Sequence, residues 1–498
     1  MGEEVVLSTG AGMARPAARA ASGAPAQTVA EVPLVVDLDG TLIRTDSLLE
    51  SLFVLAKEHP LLLFRLPFWL GQGRAKLKQR VAAVSMPDAK TLPYHAGLLR
   101  HLESEKDRGR RLVLATGADE RLARGVAAHL GLFDAVLASD GSVNLSGEAK
   151  RQALVSAFGE RGFDYAGGGR RDLPVWRSAR QAILVDPSAA LAAAAREKVA
   201  VERTLGERRA AVGTWLRQLR WHHWLKNVLV FVPLLTGHRL VDPQALAQAF
   251  LAFVGMCLAA SSIYLLDDLV DLPRDRSNPH KRQRPIASGE IPATGAVVVL
   301  ALLWLGTVAV ALALPVGYRL VLAAYAALML AYVLRVHDVR VVDALLLGCG
   351  YTLRILAGSA AVGVAVSAWL LICSTLLFFS LALLKRFAEL SLADVPVDAT
   401  ARSHGYEGSD APMVAALGRA AGAMAMLVLA LYPLADSALQ PARWLIWGSC
   451  ALMLYWMQRL WRLAGAGRIA DDPVMFALRD RRSLVAGAIV VAFLAAAA

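Results

Sequence analysis

The second half of this chain is a succession of long apolar segments, and that pattern restricts the fold more than any other feature. A helix crosses a bilayer with about 20 consecutive apolar residues. The mean hydropathy of +0.47 and the hydrophobic fraction of 56% also exceed the values usual for soluble proteins. We therefore expect an all-α, multi-pass membrane bundle of about nine transmembrane helices, in the segments 226–238, 244–266, 292–314, 317–334, 341–363, 367–384, 413–434, 442–461 and 483–498.

The positive charges follow these segments instead of forming one patch. The loops after segments two, four, six and eight carry about 16 Lys and Arg, whereas the loops after segments one, three, five and seven carry about 3. Because positive residues favour the cytoplasmic side of a membrane, this bias places the even loops and the N-terminal region there. The net charge of +12 then needs no nucleic acid partner, and we expect a protein of the inner, cytoplasmic membrane. The sequence gives no indication of the oligomeric state.

The first part of the chain has a different composition and predicts a separate soluble unit. Residues 1–30 are rich in Ala, Gly and Pro and predict a disordered tail. Over 31–190, short apolar runs that end in VVDLD, VLATG and ILVDP alternate with helical stretches, which is typical of a parallel α/β sheet. A helical insertion is expected at 46–105. Residues 191–222 are expected to form a linker and an interfacial helix, with a connecting helix over 188–213, and the membrane domain follows over 223–498.

An acidic cluster follows the second apolar segment. Asp268, Asp271 and Asp275 are spaced i, i+3, i+7, which places three carboxylates within roughly 60° on one helical face. Mg²⁺ is commonly held by a few carboxylates together with substrate phosphates. Pro273 lacks an amide N–H, so we also expect the helix to end or kink before Asp275. The spacing predicts a metal–diphosphate site at the end of a membrane helix.

Basic residues that could bind phosphate follow the aspartates and recur elsewhere in the membrane half. Three come within nine residues of Asp275, and others lie at the ends of apolar segments. Arg354, in the fifth segment, either faces the same cavity or forms a buried structural pair with Asp343. His222 and His223 are assigned to packing at the membrane interface. The candidates for binding phosphate are Lys226, Lys281, Arg282, Arg284, Arg354, Lys385 and Arg386.

The region of about 215–498 resembles the UbiA-type membrane prenyltransferase superfamily. The aspartates match its signature NDxxDxxxD, with Asp267 where Asn is usual. The continuation PHKRQRPIASG is similar to the branch of polyprenyl-phosphate 5-phosphoribosyltransferases, although Asn278 replaces the His of that branch. The segments WLKN, LRILAG, LKRFAE and DDPVMFALRDR are also similar to this branch, and WLKN adds Asn227 to the candidate substrate-binding residues.

This resemblance implies an enzyme that transfers 5-phosphoribose from phosphoribosyl diphosphate to a polyprenyl phosphate. Mg²⁺ on the three aspartates would neutralise the departing diphosphate, and the lipid phosphate would attack the ribose. Aromatic-substrate members usually carry a second acidic motif after helix six, where this chain has Lys385 and Arg386. One acidic and two basic clusters suit a donor that carries a 5-phosphate as well as a diphosphate.

A second motif lies in the soluble unit. In VVDLDGTL, Asp37 and Asp39 follow a buried strand and precede Gly40, so a nucleophile and a general acid–base are presented at a turn. This pattern resembles the first motif of the haloacid dehalogenase-like phosphohydrolases. The resemblance implies a Rossmann-like α/β fold in which the insertion 46–105 forms a cap. It also implies a Mg²⁺ site that includes both aspartates.

The later motifs of that phosphohydrolase family match less completely. Thr116 is similar to its phosphate-binding Thr or Ser, and Lys150 is similar to its charge-stabilising Lys. Asp172 matches the second acid of the fourth motif and is a further expected metal ligand. Gly168 stands where the first acid of that motif is usual, so the sequence leaves open whether the domain is an active phosphatase or a degenerate one.

Three functions remain open from the sequence. The first is a phosphoribosyltransferase fused to a phosphatase that removes the 5-phosphate of the lipid-linked product. The second is a prenyltransferase that acts on an aromatic or quinone-precursor acceptor, with a degenerate phosphatase. The third, a non-catalytic transporter or scaffold, does not account for the ordered run of acids and bases from Asp268 to Arg284.

Overall fold

The structure is a computed structural model, and it describes residues 32–206, 212–278, 281–334, 339–392, 405–435, 442–469 and 472–497. The predicted disordered tail, residues 1–30, lies outside this part of the chain. The six strands are β1 (Leu34–Val36), β2 (Leu112–Asp119), β3 (Ala135–Ser139), β4 (Asp164–Gly167), β5 (Gln181–Val185) and β6 (Ala200–Leu205).

The first helices belong to the soluble domain and its junction with the membrane domain. They are α1 (Ser47–Glu58), α2 (Leu66–Gly71), α3 (Arg74–Val84), α4 (Ala96–Asp107), α5 (Glu120–Leu130), α6 (Glu148–Phe158), α7 (Leu173–Ser178), α8 (Ala189–Arg196), α9 (Val212–Gln218) and α10 (Val232–Thr236).

The later helices build the membrane domain. They are α11 (Pro243–Val270), α12 (Leu272–Ser277), α13 (Ala293–Leu312), α14 (Val316–Leu334), α15 (Val342–Val362), α16 (Ala368–Leu392), α17 (Ala411–Ala435), α18 (Arg443–Gly465), α19 (Pro473–Ala477) and α20 (Arg481–Ala497).

The soluble domain is built on one parallel sheet with strand order β3-β2-β1-β4-β5-β6. Val35 of β1 pairs with Val113 of β2 on one side and with Tyr165 of β4 on the other. The strand order reverses beside β1, and ligands of such sheets bind beyond the carboxyl ends of the strands at this point. The predicted α/β fold is confirmed, and β1 delivers its two aspartates to that position.

The expected connecting helix over 188–213 is wrong. The chain forms the short helix α8 and then the edge strand β6, which pairs with β5. In β6 Val201 packs against the core, while its neighbour Glu202 is exposed. The Ala-rich composition favoured a helix, but pairing with the open edge of β5 is a tertiary contact that the local sequence does not show. The sheet therefore continues beyond the predicted domain end at residue 190.

The insertion between β1 and β2 forms a cap of three helices. Here α1, α2 and α3 pack around Leu55, Trp69, Leu77 and Val81, all of which are buried. A 3-10 helix, Pro60–Arg65, leads into α2. The side chain of Asp46 caps α1 by accepting hydrogen bonds from two backbone N–H groups of its first turn.

Six helices in the described part of the chain are long and apolar enough to cross a membrane: α11, α13, α14, α15, α16 and α17, the last with the preceding residues from Gly408. The predicted number of nine is not confirmed. Of the other predicted segments, 442–461 forms the 23-residue helix α18, and 483–498 forms the 17-residue helix α20. Neither is among the six helices that combine sufficient length with sufficient hydropathy.

The first predicted segment, 226–238, forms no single helix long enough to cross a membrane. It forms the end of a 3-10 helix, Trp221–Phe231, and the five-residue helix α10. The 3-10 helix lies against α15 so closely that a Cβ on Gly358 would come 1.9 Å from the carbonyl oxygen of Val230. The apolar character of this segment therefore serves packing inside the bundle.

The cap joins the soluble domain to the membrane domain. Leu49 and Phe53 of α1 pack against the cluster that contains Leu269 and Leu272, at the junction of α11 and α12. Arg276 of α12 donates two hydrogen bonds, of 3.0 and 2.7 Å, to the buried carboxylate of Glu50. One helix of the cap therefore contacts both the phosphatase-like core and the end of a membrane helix.

Candidate active sites

Two aspartates follow the first strand at the carboxyl edge of the sheet. Asp37 comes directly after β1, and Asp39 precedes Gly40, whose φ of +71° makes the turn. One carboxylate oxygen of Asp39 accepts a hydrogen bond of 2.8 Å from the backbone N–H of Ser47, at the start of α1. The turn presents both carboxylates to a cavity between the sheet and the cap.

A buried network joins Asp37 to Asp172. Lys150, in the first turn of α6, donates from Nζ to Asp37 Oδ1 at 2.6 Å and to Tyr165 Oη at 2.9 Å. Tyr165 Oη donates to Asp172 Oδ1 at 2.8 Å. Lys150 Nζ also lies 3.9 Å from Asp172 Oδ1. Lys150 thus places its positive charge beside the carboxylate that is predicted to attack phosphorus.

Burial changes the proton affinity of these groups. Desolvation raises the pKa of Asp37 to about 7, although the attraction of Lys150 opposes this. Desolvation likewise raises the pKa of Asp39 to about 6. Burial alone would lower the pKa of Lys150, but attraction by Asp37 and Asp172 raises it above its ordinary value. A pKa near neutrality suits Asp39, the predicted general acid–base, whereas the ion pair with Lys150 favours the ionised form that Asp37 needs as a nucleophile.

The fourth motif has no room for a second acid. A Cβ on Gly168 would lie 2.6 Å from the carbonyl oxygen of Val185 and 2.7 Å from that of Gly40. Asp172 Oδ2 accepts hydrogen bonds from the backbone N–H of Gly168 at 3.2 Å and of Gly169 at 2.9 Å. Both oxygens of Asp172 are therefore engaged, Oδ2 with the loop and Oδ1 with Tyr165. In the described part of the chain, no three His, Cys, Asp or Glu side chains form a metal-ligand group.

The cavity above Asp37 has a volume of about 520 Å³. The cap contributes Leu70, Arg74 and Lys78 to its wall, and Lys78 Nζ donates to Asn144 Oδ1 at 2.9 Å. Desolvation lowers the pKa of Lys78. The charged side chains of the wall are five bases, Arg74, Lys78, Lys150, Arg170 and Arg171, and four aspartates, Asp37, Asp39, Asp46 and Asp172.

Thr116, the predicted phosphate-binding residue, lies in β2. It is fully buried, and its Oγ1 accepts a hydrogen bond of 3.0 Å from the backbone N–H of Ala118. Its neighbour Gly117 lines the cavity, whereas Thr116 is not among the lining residues. Its predicted contact with phosphate stays a prediction.

In the membrane domain, two of the three aspartates meet at one arginine. Arg284 Nη1 donates to Asp268 Oδ1 at 2.8 Å and to Asp275 Oδ2 at 2.6 Å. Asp268 also accepts from Arg220 Nη2 at 2.6 Å and from Gln218 Nε2 at 2.7 Å. The two carboxylates therefore flank one positive charge, in an arrangement that a divalent cation also favours.

Asp271 points to a different partner. The helix ends at Val270, and Pro273 lies in the first turn of the separate short helix α12, so the expected break before Asp275 is confirmed. Asp271 Oδ1 accepts a hydrogen bond from Nζ of Lys57, which belongs to the cap. The expectation that all three carboxylates share one continuous helical face is wrong, because the helix is interrupted at Asp271 itself.

Arg220 holds an uncommon backbone conformation at this site. Its φ of +50° and ψ of +43° lie in the left-handed region, which residues other than Gly rarely adopt. The conformation ends α9 and begins the 3-10 helix Trp221–Phe231. The ion pair with Asp268 compensates part of this cost, as is common for strained residues at functional sites.

A cationic cavity of about 420 Å³ lies beside these aspartates. A second cavity of about 240 Å³ adjoins it, since both are lined by Arg217, Arg220 and Arg284, and Asp268 lines the second. Among the predicted phosphate ligands, Arg284 and Lys385 line the larger cavity. Its other charged or titratable lining residues are His222, His223, Glu389, Asp472 and Arg479.

Three of the remaining predicted residues, Lys226, Lys281 and Arg282, do not line either cavity. Lys281 Nζ lies 3.9 Å from Asp275 Oδ1, and Arg282 is exposed outside the cavity wall. Lys226 is buried and donates from Nζ to Asp472, which itself lines the cavity.

Arg354 and Arg386 form buried structural contacts. Arg354 Nε donates to Asn227 Oδ1 at 2.6 Å, and its other nitrogens contact Gly350 and Tyr325. Arg386 Nε donates to Asp343 Oδ2 at 2.6 Å. The pairing of Arg354 with Asp343, considered from the sequence, is therefore wrong. The predicted substrate contacts of Asn227, Arg354 and Arg386 stay predictions.

Sequence reasoning missed several residues of the cavity wall. Arg217 and Arg220 lie in the segment 191–222, which is predicted as a linker and interfacial helix, and His222 and His223 are assigned to packing. Arg479 lies some 200 residues from Asp268 in the chain, so no local pattern connects them. The signal available was the cluster of Arg and His just before the first apolar segment, combined with the unusual density of charge in DDPVMFALRDR.

Residues 228–495, more than half of the chain, match the model of the UbiA prenyltransferase family. The chain belongs to this family. Residues 34–177 match the model of the haloacid dehalogenase-like hydrolases, so the N-terminal domain is haloacid dehalogenase-like.

Some relatives match nearly the whole chain, and others match only part of it. The uncharacterized protein y4nM of Sinorhizobium fredii is 36% identical over 466 residues, which cover 92% of this chain and 90% of that protein. The nodulation protein NoeC of Azorhizobium caulinodans is 39% identical and covers 55% of this chain and 89% of its own length. A decaprenyl-phosphate phosphoribosyltransferase of Mycolicibacterium smegmatis is 34% identical over 195 residues, 38% of this chain and 61% of that enzyme.

Among solved structures, a UbiA homologue from Archaeoglobus fulgidus bound to DMAPP and Mg²⁺ is similar to this chain. It covers 57% of this chain and 98% of its own, at 14% identity and a TM-score of 0.45.

Proposed function

We propose that the membrane domain transfers 5-phosphoribose from phosphoribosyl diphosphate to a polyprenyl phosphate. The observation that carries this proposal is the cationic cavity beside Asp268, lined by Arg217, Arg220, Arg284, Lys385 and Arg479. A prenyl diphosphate presents one anionic group to such a wall. A phosphorylated sugar diphosphate and a lipid phosphate together present three.

The similarity to the Mycolicibacterium enzyme supports the same donor and acceptor, although it covers only part of either chain. In the proposed reaction the diphosphate lies near Asp268 and Asp275, and Arg220 and Arg284 donate hydrogen bonds to its oxygens. Mg²⁺, held by Asp268, Asp275 and, once Lys57 releases it, Asp271, would supply charge neutralisation for the departing diphosphate.

The remaining bases receive the other two phosphates. Lys385, on α16, and Arg479, just after α19, also line the cavity. They would bind the 5-phosphate or the lipid phosphate. The acceptor oxygen is already anionic, so the attack on ribose requires no strong general base.

The haloacid dehalogenase-like domain would then remove the 5-phosphate of the lipid-linked product. Asp37 attacks phosphorus, Asp39 protonates the leaving ribose oxygen and later activates water, and Lys150 neutralises charge beside Asp37. Asp37 and Asp39 fit a cation that completes its shell with water and phosphate oxygens. Because Gly168 supplies no carboxylate, we expect weak Mg²⁺ binding at this site. Both sites would face the cytoplasm at the inner membrane.

The test supplies labelled phosphoribosyl diphosphate and decaprenyl phosphate to the purified protein in proteoliposomes. The wild type should place label in a lipid that lacks the 5-phosphate. Asp37→Asn should accumulate the 5-phosphorylated lipid, and Asp268→Asn should give no labelled lipid while remaining folded. Turnover of a prenyl diphosphate with an aromatic acceptor, and none of phosphoribosyl diphosphate, would contradict the proposal and support a prenyltransferase.

A further inference from the structure

The cap carries an apolar surface that the fold does not cover. In the segment Pro60–Gly71, the inner residues Leu62, Leu63, Leu66 and Trp69 pack against α1 and α3. The outer side chains are exposed to unusual degrees for their type, with Leu61 at 78%, Phe64 at 84%, Phe68 at 67% and Leu70 at 53%. Contiguous exposure of large apolar side chains marks an interaction surface in soluble parts of proteins. We call these four residues the cap patch.

The charged side chains within the segment that carries the cap patch, residues 59–87, are all positive. Residues 59–87 contain no Asp or Glu, and they carry five bases, Arg65, Arg74, Lys76, Lys78 and Arg80. Apolar side chains flanked by bases are typical of segments that lie in the interface of a membrane with anionic lipids. A protein partner would require its own complementary acidic and apolar surface, whereas the membrane around this chain supplies both.

The cap patch lies close to the end of a membrane helix. Lys57 of α1 pairs with Asp271, one residue after α11 ends, and Phe53 packs beside Leu269. Leu61 follows Lys57 by four residues, so their Cα atoms are at most roughly 14 Å apart. The ion pair of Glu50 with Arg276 is a second attachment of α1, in this case to α12. The cap is therefore held at the level of the membrane surface at which α11 ends.

The cap patch is also continuous with the phosphatase cavity. Leu70, its last residue, lines the cavity above Asp37, as do Arg74 and Lys78 of the next helix. A lipid that rests against the cap patch thus has its head group at the cavity mouth.

We propose that the cap patch inserts into the lipid interface and makes the phosphatase domain act on a phosphomonoester carried by a membrane lipid. The choice of a lipid-linked sugar phosphate as the substrate rests on the proposed function, whereas membrane insertion of the cap does not.

The insertion is tested with cysteine variants labelled with an environment-sensitive fluorophore, in nanodiscs of phosphatidylcholine and phosphatidylglycerol that contain spin-labelled lipid. Phe64→Cys is the test position. Ile372→Cys, exposed on the membrane helix α16, is the positive control, and Arg124→Cys, exposed on α5, is the negative control. Unmodified protein measures labelling of the four native cysteines. We expect quenching at Phe64→Cys within twofold of that at Ile372→Cys.

Quenching at Phe64→Cys that equals the value at Arg124→Cys would overturn the proposal. Cross-linking of two copies through Phe64→Cys would also overturn it, because a second copy would then cover the cap patch. The double variant Phe64→Ser/Phe68→Ser should release phosphate from the lipid product at least tenfold more slowly, with p-nitrophenyl phosphate hydrolysis unchanged.

An equal loss with both substrates would overturn the role of the cap patch in lipid access. If the wild type hydrolyses neither substrate, the proposed phosphatase function fails, and lipid quenching still decides whether the cap inserts.

Discussion

Arg284 donates from one nitrogen to both Asp268 and Asp275 and also lines the cationic cavity. Its neighbour Arg282, two positions away in the same basic run, is exposed outside the cavity. The run of bases was identified from the sequence, but the difference between the two arginines depends on the direction of each side chain.

This difference gives a matched pair of variants. Arg284→Gln should lower phosphoribosyl transfer about 100-fold, because it removes a fixed positive charge from the diphosphate. Arg282→Gln should change the rate by less than about threefold, as is usual for an exposed position. Initial rates of label transfer into lipid measure both, and equal losses would show that Arg284 has no special position.

Gly168 is a second residue whose role is decided by its surroundings. Two backbone carbonyl oxygens lie within 2.7 Å of the position that its Cβ would occupy. A Cβ on Gly169 would come no closer than 3.5 Å to Asp172. Gly168→Ala should therefore lower the free energy of unfolding by about 1–3 kcal/mol, and Gly169→Ala by less than about 1 kcal/mol. Thermal unfolding in detergent compares the two. A stable Gly168→Asp protein with increased Mg²⁺-dependent phosphatase activity would show that the loop accommodates the missing acid.

At the scale of elements, α1 connects the two sites. Its first residue donates to Asp39, Glu50 binds Arg276, and Lys57 binds Asp271. The insertion was predicted as a cap over the phosphatase, but its attachment to the membrane helices was not. Residues 50 and 276 are far apart in sequence, and nothing local indicates that they meet.

The buried pair of Glu50 and Arg276 should be strongly coupled. Glu50→Gln or Arg276→Gln alone should cost about 3–5 kcal/mol, because each leaves a buried charge without its partner. The double variant should cost less than the sum of the single changes by about 1–3 kcal/mol. Chemical unfolding of the four proteins gives the coupling energy. Strict additivity would mean that the ion pair does not form in the folded protein.

At the scale of the whole molecule, two unlike domains are joined at the end of α11, where Lys57 of the cap binds Asp271. The proposed sequence of reactions requires that both sites face the same side of the membrane, and the asymmetry of basic residues between loops predicts the cytoplasmic side. The orientation can be measured directly.

Cysteine accessibility in intact bacterial cells tests the orientation. Arg124→Cys, in the soluble domain, should react with a membrane-impermeant maleimide only after permeabilisation. Ala313→Cys, exposed after α13, should react in intact cells, because the loop after the third predicted segment carries few bases. Reaction of Arg124→Cys in intact cells would place the phosphatase domain on the opposite side.

The sequence by itself determined the two domains, the parallel α/β sheet, the membrane bundle and the positions of Asp37, Asp39 and Asp268. These features are written in local patterns, namely apolar periodicity and short motifs at strand or helix ends. Six of the nine predicted spans correspond to described helices of sufficient length and hydropathy, whereas the segment 226–238 forms short helices that pack closely against Gly358.

Only the tertiary structure decided which charges meet. Arg217, Arg220 and Arg479 converge on one cavity, Asp271 turns to Lys57, and Arg354 and Arg386 are used within the bundle. The physical reason is that a charge is satisfied by whichever partner the fold brings within hydrogen-bonding distance. That partner can lie hundreds of residues away, on an element whose direction the local sequence does not specify.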